Sequence, residues 1–305
     1  MAPIFGPVLE LAPDDPTFPS QLGDLRDPPA CLWVAGRLPS LDRAVVSIVG
    51  TRRADPEAVD FTRALSRDLA RAGLVVVSGG ARGIDAAAHR GALEAGGATV
   101  VVLPGGLDAP YPLENRSLFE EVVRTGALVT ELPAATPPLR GRFLERNRIV
   151  AALGHAVVVV QAPARSGALS TAAHAQRLGR PLFAVPSAPW DPRGLGCLGL
   201  LRAGASVCTS ARDVLSVPAF GAQLELPALA ATDEKSCISR SVDVDGCRVL
   251  SLLGARPRHA DELARRLALP IERVQRVLLA LLLDGLVELR GGGGYVRRPC
   301  PGSPK

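Results

Sequence analysis

Lysine is almost missing from this chain of 305 residues, although the chain is basic. Lys235 and Lys305 are its two lysines, and arginine supplies the rest of the 35 basic residues, which stand against 30 acidic ones. Arginine suits the planar recognition of phosphate. A formal net charge of +5 therefore permits an anionic partner, but it is too small to require one. A bias in genome composition would produce the same preference for arginine.

The cysteines and histidines lack the spacing of a disulfide framework or a metal site. Six cysteines are scattered without a CxxC pair, and four histidines form no HExxH or other metal-binding motif. A GxSxG nucleophile motif is also missing. Asp85 and Glu131 stand near predicted strand ends, where we expect them to fix a loop and to pair with an arginine. We therefore predict no metal, no cofactor and no enzymatic activity, and a reduced cytoplasmic setting.

Long hydrophobic runs are missing as well. No uninterrupted apolar stretch approaches the roughly 20 residues that a membrane span needs, and the N-terminus has neither the basic start nor the apolar core of a signal peptide. Hydrophobic residues make up 47% of the chain and charged residues 21%, which is typical of a globular protein. The sequence predicts about two folded domains and no membrane partner.

Short runs rich in valine alternate with helical segments from Val45 onward. Near-continuous apolar runs such as AVVSIVG and LVVVSGG are typical of parallel strands buried on both faces. The alternation predicts an α/β fold with an extended, Rossmann-like, doubly wound and mostly parallel sheet. Three helical segments and a hairpin near the C-terminus predict a small winged-helix domain. The predicted organisation is an irregular lead-in (1–44), the Rossmann-like domain (45–217), a linker (218–240), the winged helix (241–298) and a tail (299–305).

Glycine-rich loops follow three successive predicted strands, where ligands of open α/β sheets bind. Glycine lets the backbone approach a ligand closely, and the N–H groups of a helix N-terminus attract anions. The alternative is that these glycines make tight turns. The loops match neither the P-loop nor GxGxxG. The candidate anion-binding residues in these loops are Arg52, Gly80, Arg82, Gly83, Gly105 and Gly106.

A basic segment around Phe143 precedes and enters a helix that we predict near Arg146–Leu153. Arginine forms charge-assisted bonds with phosphate, and an aromatic ring stacks on bases. The alternative is a solvated basic helix end with Phe143 in the core. A further loop precedes the next helix, and its hydroxyls would either hold a phosphate or cap that helix. The candidates in these two segments are Arg140, Arg142, Phe143, Arg146, Asn147, Arg148, Ser166, Gly167 and Thr171.

Several strings in this order resemble the DprA/Smf family, the DNA-processing proteins of natural transformation. The resemblance covers about Phe18 to Leu215. It implies a Rossmann-like domain that binds and protects single-stranded DNA, loads the RecA recombinase and forms a homodimer, often with a C-terminal winged helix. The matching strings are SIVGTR (47–52), VSGGARGIDAAAH (77–89), GALEAGGATVVVLPGGLDAPYPLEN (91–115), FLERNRIVAAL (143–153), SGALSTAA (166–173) and RPLFAVPS (180–187).

The resemblance also implies roles for individual residues. Arg52 matches the arginine of the first loop and Arg82 that of the second. Phe143 matches a phenylalanine that stacks on a base, and Arg140 matches a basic position three residues before it. Arg146, Asn147 and Arg148 match an RNR string, and Ser166, Gly167 and Thr171 match an SGxLxT loop. The chain departs from the family pattern at Leu144, Gln161, Ser187 and Cys197.

Two other functions remain alternatives. The first is a nucleotide phosphoribohydrolase of the lysine-decarboxylase-like family, whose PGGxGTxxE motif differs from the PGGLDAPYP of this chain (104–112). The second is a duplex-binding regulator that acts through the winged helix. The third helix of that module carries Arg273 and Arg276 but is otherwise apolar, which favours a protein-interaction role over base readout.

Overall fold

The structure is a computed structural model that describes residues 4–41, 44–221, 244–253, 257–267, 269–283, 286–290 and 294–297. The chain divides into two compact units, Met1–Glu225 and Leu226–Lys305. Among the described residues, no helix is both long and apolar enough to cross a membrane.

The first unit is built on a sheet of nine strands in the order β1-β2-β6-β5-β4-β3-β7-β8-β9. The strands from β3 to β9 pair in parallel, whereas β1 and β2 are antiparallel additions beside β6. This confirms the predicted mostly parallel sheet. The strands are β1 (Val8–Leu11), β2 (Leu32–Gly36), β3 (Val45–Val49), β4 (Val75–Ser78), β5 (Thr99–Val102), β6 (Ala127–Thr130), β7 (Ala156–Val159), β8 (Leu182–Ala184) and β9 (Ser206–Val207).

Helices cover both faces of this sheet, as a doubly wound fold requires. Ile149 of α4 and Ala172 of α5 pack with Val45 and Val77 on one face. Leu69 of α1 packs with Val46 and Val76 on the other. The helices are α1 (Pro56–Arg71), α2 (Ile84–Glu94), α3 (Arg116–Thr125), α4 (Arg140–Leu153), α5 (Ala168–Arg177), α6 (Leu195–Arg202), α7 (Ala211–Leu215) and α8 (Pro218–Gly221), with short 3-10 helices at Ser20–Asp24 and Leu113–Asn115.

The prediction of an irregular lead-in over 1–44 is wrong, because that segment supplies β1 and β2. Leu32 and Val34 of β2 are fully buried in the core of the sheet. Flanking prolines shorten the runs and hide the pattern of alternation. Such prolines are tolerated because these strands are short and β1 lies at an edge.

Two predicted boundaries also move. Helix α4 begins at Arg140 and not near Arg146, because Leu139 is extended and the chain turns helical as soon as Pro137 and Pro138 have passed. The first unit also extends into the predicted linker, since Phe220 of α8 is fully buried in its core. The rest of that linker (222–240) and the tail (299–305) lie outside the described residues.

The second unit has the predicted winged-helix layout of three helices and a hairpin. Val249, Leu263 and Leu278 come from its three helices and form its core together with Val287 of the hairpin. The glycines of the hairpin turn at 291–293 lie outside the described residues. Its elements are α9 (Val244–Leu252), α10 (Ala260–Leu267), α11 (Ile271–Leu283), β10 (Val287–Arg290) and β11 (Gly294–Arg297).

Candidate nucleic-acid interface

A cleft of about 330 Å³ opens at the carboxyl ends of β3, β4 and β7. Strand order reverses beside β3, since β4, β5 and β6 follow on one side and β7, β8 and β9 on the other. Such a switch point leaves a crevice between helices on opposite faces of the sheet. We call this site the main cleft. Its lining includes Thr51, Arg52, Arg53, Gly79, Asp85, Phe143, Arg146, Asn147, Arg165, Ser166, Gly167 and Thr171.

The lining of the main cleft includes a contact between an arginine and an aromatic ring. The guanidinium carbon of Arg52 lies 4.6 Å from the centre of the Phe143 ring. The ring of Tyr111 meets Phe143 edge to face, with centroids 5.5 Å apart. Phe143 is half-buried at the start of α4, so it is not in the core as the alternative interpretation required. Because a cation–π contact already covers Phe143, a base that stacks on that face must displace Arg52.

Arg146 forms the floor of the cleft and is 6% exposed. Its Nη1 donates to the carbonyl oxygens of Gly79, at 2.6 Å, and Val102. These carbonyls follow β4 and end β5, so the side chain ties α4 to two strands. Burial lowers the pKa of Arg146 to about 10, despite the nearby Asp85. Its contacts therefore give Arg146 a structural role behind the ligand surface.

Asp85 is the carboxylate beside Arg146 and is also buried. Burial raises its pKa, while the charge of Arg146 and hydrogen bonds from backbone N–H groups, including that of Ala81, lower it in part. The Ala81 nitrogen lies 3.3 Å from Oδ2 of Asp85. Asp85 thus fixes the loop after β4, as the sequence predicts.

The loop before α5 closes the cleft on the other side. Asn147 donates through Nδ2 to the carbonyl oxygen of Gly167 at 3.2 Å, which ties α4 to this loop. Ser166 Oγ accepts from the Ala168 nitrogen at 3.3 Å, which is a capping contact. Thr171 lines the cleft but is 1% exposed. The Ser166 hydroxyl therefore serves the helix start as well as the cleft.

Several predicted residues lie outside the main cleft. Arg82 forms an ion pair with Glu114 at 3.2 Å and lines a neighbouring cleft. Arg148 pairs with Glu131 below the surface, as expected for Glu131. Arg142 donates to the carbonyl oxygen of Pro137, and Arg140 is exposed in the first turn of α4.

Most of the predicted glycines serve the fold. A β-carbon at Gly105 or Gly106 would meet backbone atoms of residues 133–138, so these glycines admit a neighbouring loop of the protein. Gly80 and Gly83 have positive φ angles of 66° and 75°. Gly83 also lies against the Thr51 carbonyl, and it makes the sharp turn into α2. The interpretation as tight turns therefore fits Gly80 and Gly83, whereas Gly105 and Gly106 allow a close approach of the loop at 133–138.

Sequence reasoning missed three exposed side chains at this edge, namely Arg53, Arg165 and Tyr111. Arg53 and Arg165 line the main cleft, and within the described part of the chain no carboxylate pairs with them or with Arg52. Arg52, Arg53 and Arg165 all lie in or next to the strand-end loops described in the sequence analysis. Their position at a strand end was the signal available in the sequence.

The described residues contain no group of three or more His, Cys, Asp or Glu side chains that could hold a metal ion. The main cleft combines unpaired guanidinium groups, an aromatic ring and helix N-termini. A Rossmann-like sheet with such an edge and a winged helix defines the class of DNA-processing proteins that the sequence resembles.

The comparisons with known proteins identify the family. Residues 10–218 match the model for DNA recombination-mediator protein A, and residues 239–293 match the model for the DprA winged helix domain. The chain therefore belongs to the DprA/Smf family.

Curated relatives match along most of the chain. Protein Smf of Synechocystis is 35% identical over 94% of this chain and 80% of its own length. A putative DNA processing protein DprA of Mycobacterium tuberculosis is 39% identical over 90% of this chain and 70% of its own length.

Solved structures agree with this family. DprA of Streptococcus pneumoniae is 35% identical, covers 70% of this chain and 75% of its own, and superposes with a TM-score of 0.66. DprA of Helicobacter pylori, whose structure is described for its single-stranded DNA binding mode, is 34% identical and covers 70% of this chain and 96% of its own, with a TM-score of 0.63.

Proposed function

We propose that this protein binds single-stranded DNA in the main cleft, without catalysing a reaction, and protects incoming strands during natural transformation. The observation that carries the proposal is that the main cleft is lined by Phe143 and by three arginines, Arg52, Arg53 and Arg165, none of which forms an ion pair with a carboxylate of the described residues; Arg52 lies over the Phe143 ring. Guanidinium groups hold phosphates and the ring offers a stacking surface, which is the combination that single-strand binders use. The DNA-binding relative from H. pylori supports the proposal.

Fluorescence anisotropy with labelled dT20 tests this proposal directly. We expect Arg52→Ala with Phe143→Ala to weaken binding at least tenfold, because a stacked base alone contributes about 1–3 kcal/mol. Arg52→Ala alone should lower the slope of log K against log salt by about 0.7, since one phosphate contact is lost. Unlabelled duplex should compete poorly with dT20.

Arg124→Ala is the matched control. Arg124 is an exposed arginine in the last turn of α3, which adjoins the amino end of β6 at the opposite edge of the sheet. Its loss changes net charge equally but should leave binding within twofold. If the control and the cleft variants weaken binding alike, only general charge matters and the cleft is not the site.

We further propose that the DNA-bound protein loads RecA and works as a homodimer in the cytoplasm. These proposals rest on family membership; the unbridged thiols of Cys31, Cys197 and Cys208 are consistent with a reducing compartment. Two binding clefts on one strand would raise the avidity. For the RecA proposal, adding the protein should stimulate RecA-dependent ATP hydrolysis on DNA coated with single-strand-binding protein. For the homodimer proposal, light scattering should give twice the mass of one chain. An unstimulated reaction or a monomer mass would reject the respective proposal.

A further inference from the structure

Beside the main cleft lies a second cleft of about 200 Å³, in which the sequence analysis assigned no role to Tyr111 and placed no separate nucleotide. It is lined by Arg52, Arg53, Ala81, Arg82, Tyr111 and Pro112. Arg52 and Arg53 line both clefts, so the two sites share a wall of two guanidinium groups. Three arginines and one tyrosine therefore line this concave site.

We propose that this second cleft holds the nucleotide next to the one in the main cleft, with Tyr111 as its base-stacking residue. This inference rests on the proposed binding of single-stranded DNA. Tyr111 is 37% exposed, and its ring also meets that of Phe143 edge to face. The exposed part of the ring can accept a base, because stacking depends on the π-face and tolerates any sequence.

The charges around the second cleft fit a phosphate on each side of the base. Arg52 and Arg53 stand between the clefts, where a phosphate joining two nucleotides would lie. Arg82 stands beyond them, and its guanidinium is held by Glu114 at 3.2 Å. Both side chains of this pair are more than half exposed, so the pair is weak and a phosphate can replace the carboxylate. Glu114 is thus a competitor for the outer phosphate.

The test compares Tyr111 variants on two oligomers that share a phosphate backbone. One oligomer is dT20, and the other is an abasic 20-mer that has no bases to stack. Tyr111→Ala should weaken dT20 binding about fivefold or more and leave binding of the abasic oligomer unchanged. Tyr111→Phe keeps the ring and should bind both oligomers like the wild type. Trp190→Ala removes an exposed ring that lines neither cleft and should have no effect.

The outer phosphate has its own variants. Arg82→Ala should weaken the binding of both oligomers, because it removes a phosphate contact and not a base contact. Glu114→Gln should strengthen the binding of both oligomers by about twofold to threefold at low salt, since Arg82 then has no carboxylate in place of Glu114 to compete with a phosphate. Glu120→Gln, which removes a carboxylate paired with Arg116 on α3, should leave both unchanged.

The outcomes separate this inference from the proposed function. If wild-type protein binds dT20 no better than duplex, the proposed function fails and the second cleft fails with it. If wild-type protein binds dT20 and Phe143→Ala weakens it while Tyr111→Ala does not, the second cleft alone is rejected. Equal weakening of both oligomers by Tyr111→Ala would show that the ring only supports the fold, which also overturns the inference.

Discussion

Arg140 and Arg146 stand less than two turns apart on α4 and differ almost completely in exposure. Arg140 is exposed, whereas the guanidinium of Arg146 is buried against two backbone carbonyls and beside Asp85. The sequence predicts the same role for both, because both are arginines in one basic segment. Their burial assigns the first to the surface that meets solvent and the second to the framework that holds the cleft.

Replacement of Arg146 should therefore mainly lower stability, whereas replacement of Arg140 should mainly weaken DNA binding. Arg146→Ala should lower the free energy of unfolding by about 2–5 kcal/mol, since it leaves two buried carbonyl oxygens without their donor, at about 1–3 kcal/mol each. Arg140→Ala should change it by less than about 0.5 kcal/mol and weaken DNA binding modestly. Urea denaturation and anisotropy measure the two properties. Equal loss of stability in both variants would contradict this division of roles.

His89 is a buried side chain that makes stability depend on pH. Its Nδ1 lies 2.8 Å from the Thr99 hydroxyl, which itself donates to the Val76 carbonyl, so Nδ1 carries the proton of the neutral ring. Burial, aided by the charge of Arg146, lowers the pKa of His89 from 6.5 to about 3. Below pH 6.5 His89 becomes protonated in the unfolded chain but stays neutral in the folded chain, so stability falls as the pH falls.

Replacement of His89 by Gln should remove this pH dependence. Between pH 6 and pH 4, the wild type should lose about 1.4 kcal/mol more per pH unit than the variant in urea unfolding. The comparison of two chains cancels the contribution of Asp85, whose raised pKa acts in the opposite direction. Parallel curves for the two proteins would show that His89 does not titrate in this way.

The turn between β4 and α2 decides where the first two loops of the main cleft meet. Gly83 has a φ of 75° and no room for a side chain, because a β-carbon would overlap the Thr51 carbonyl. Gly96, after α2, has a φ of 68° and open space around it. Gly96 therefore has a positive φ without steric overlap, whereas Gly83 combines overlap with a φ of 75° and a ψ of −123°, which also disfavour a side chain.

Gly83→Ala should therefore cost more than Gly96→Ala. Gly96→Ala should lower the free energy of unfolding by about 1 kcal/mol, because alanine disfavours its positive φ. Gly83→Ala should lower it by about 2–4 kcal/mol and also weaken dT20 binding, because the Arg52 loop is pushed away. Urea denaturation of both variants measures the difference, and equal values would mean that the loop gives way freely.

Elements with continuous apolar runs could be predicted from the sequence, and elements at the rim could not. The buried strands β3 to β7 have four or five residues each, and most of these residues are valine or another apolar residue. The parallel sheet and the order of its loops could therefore be predicted. β1 and β2 were missed because short antiparallel strands between prolines resemble coil. The start of α4 was missed because its first turns face solvent and carry no apolar period. Tyr111 was missed because its role depends on Phe143, which lies 32 positions away in the chain.

The whole molecule consists of two units with separate cores, and both clefts belong to the first. A fragment ending at Glu225 contains every described residue that lines them. It should bind dT20 within twofold of the full chain and with the same salt slope, as anisotropy can measure. A loss of more than tenfold would assign the winged helix a direct part in DNA binding.

The exclusive use of arginine in the two clefts has a consequence for control of the protein in the cell. Lysine acetylation neutralises many DNA-binding surfaces, but the chain has lysine only at positions 235 and 305, and the clefts contain none. A guanidinium also keeps its charge at every physiological pH. The charge of the proposed DNA-binding clefts therefore does not respond to lysine acetylation or to changes in cellular pH. Ionic strength, or a competing carboxylate such as Glu114, would adjust the proposed binding instead.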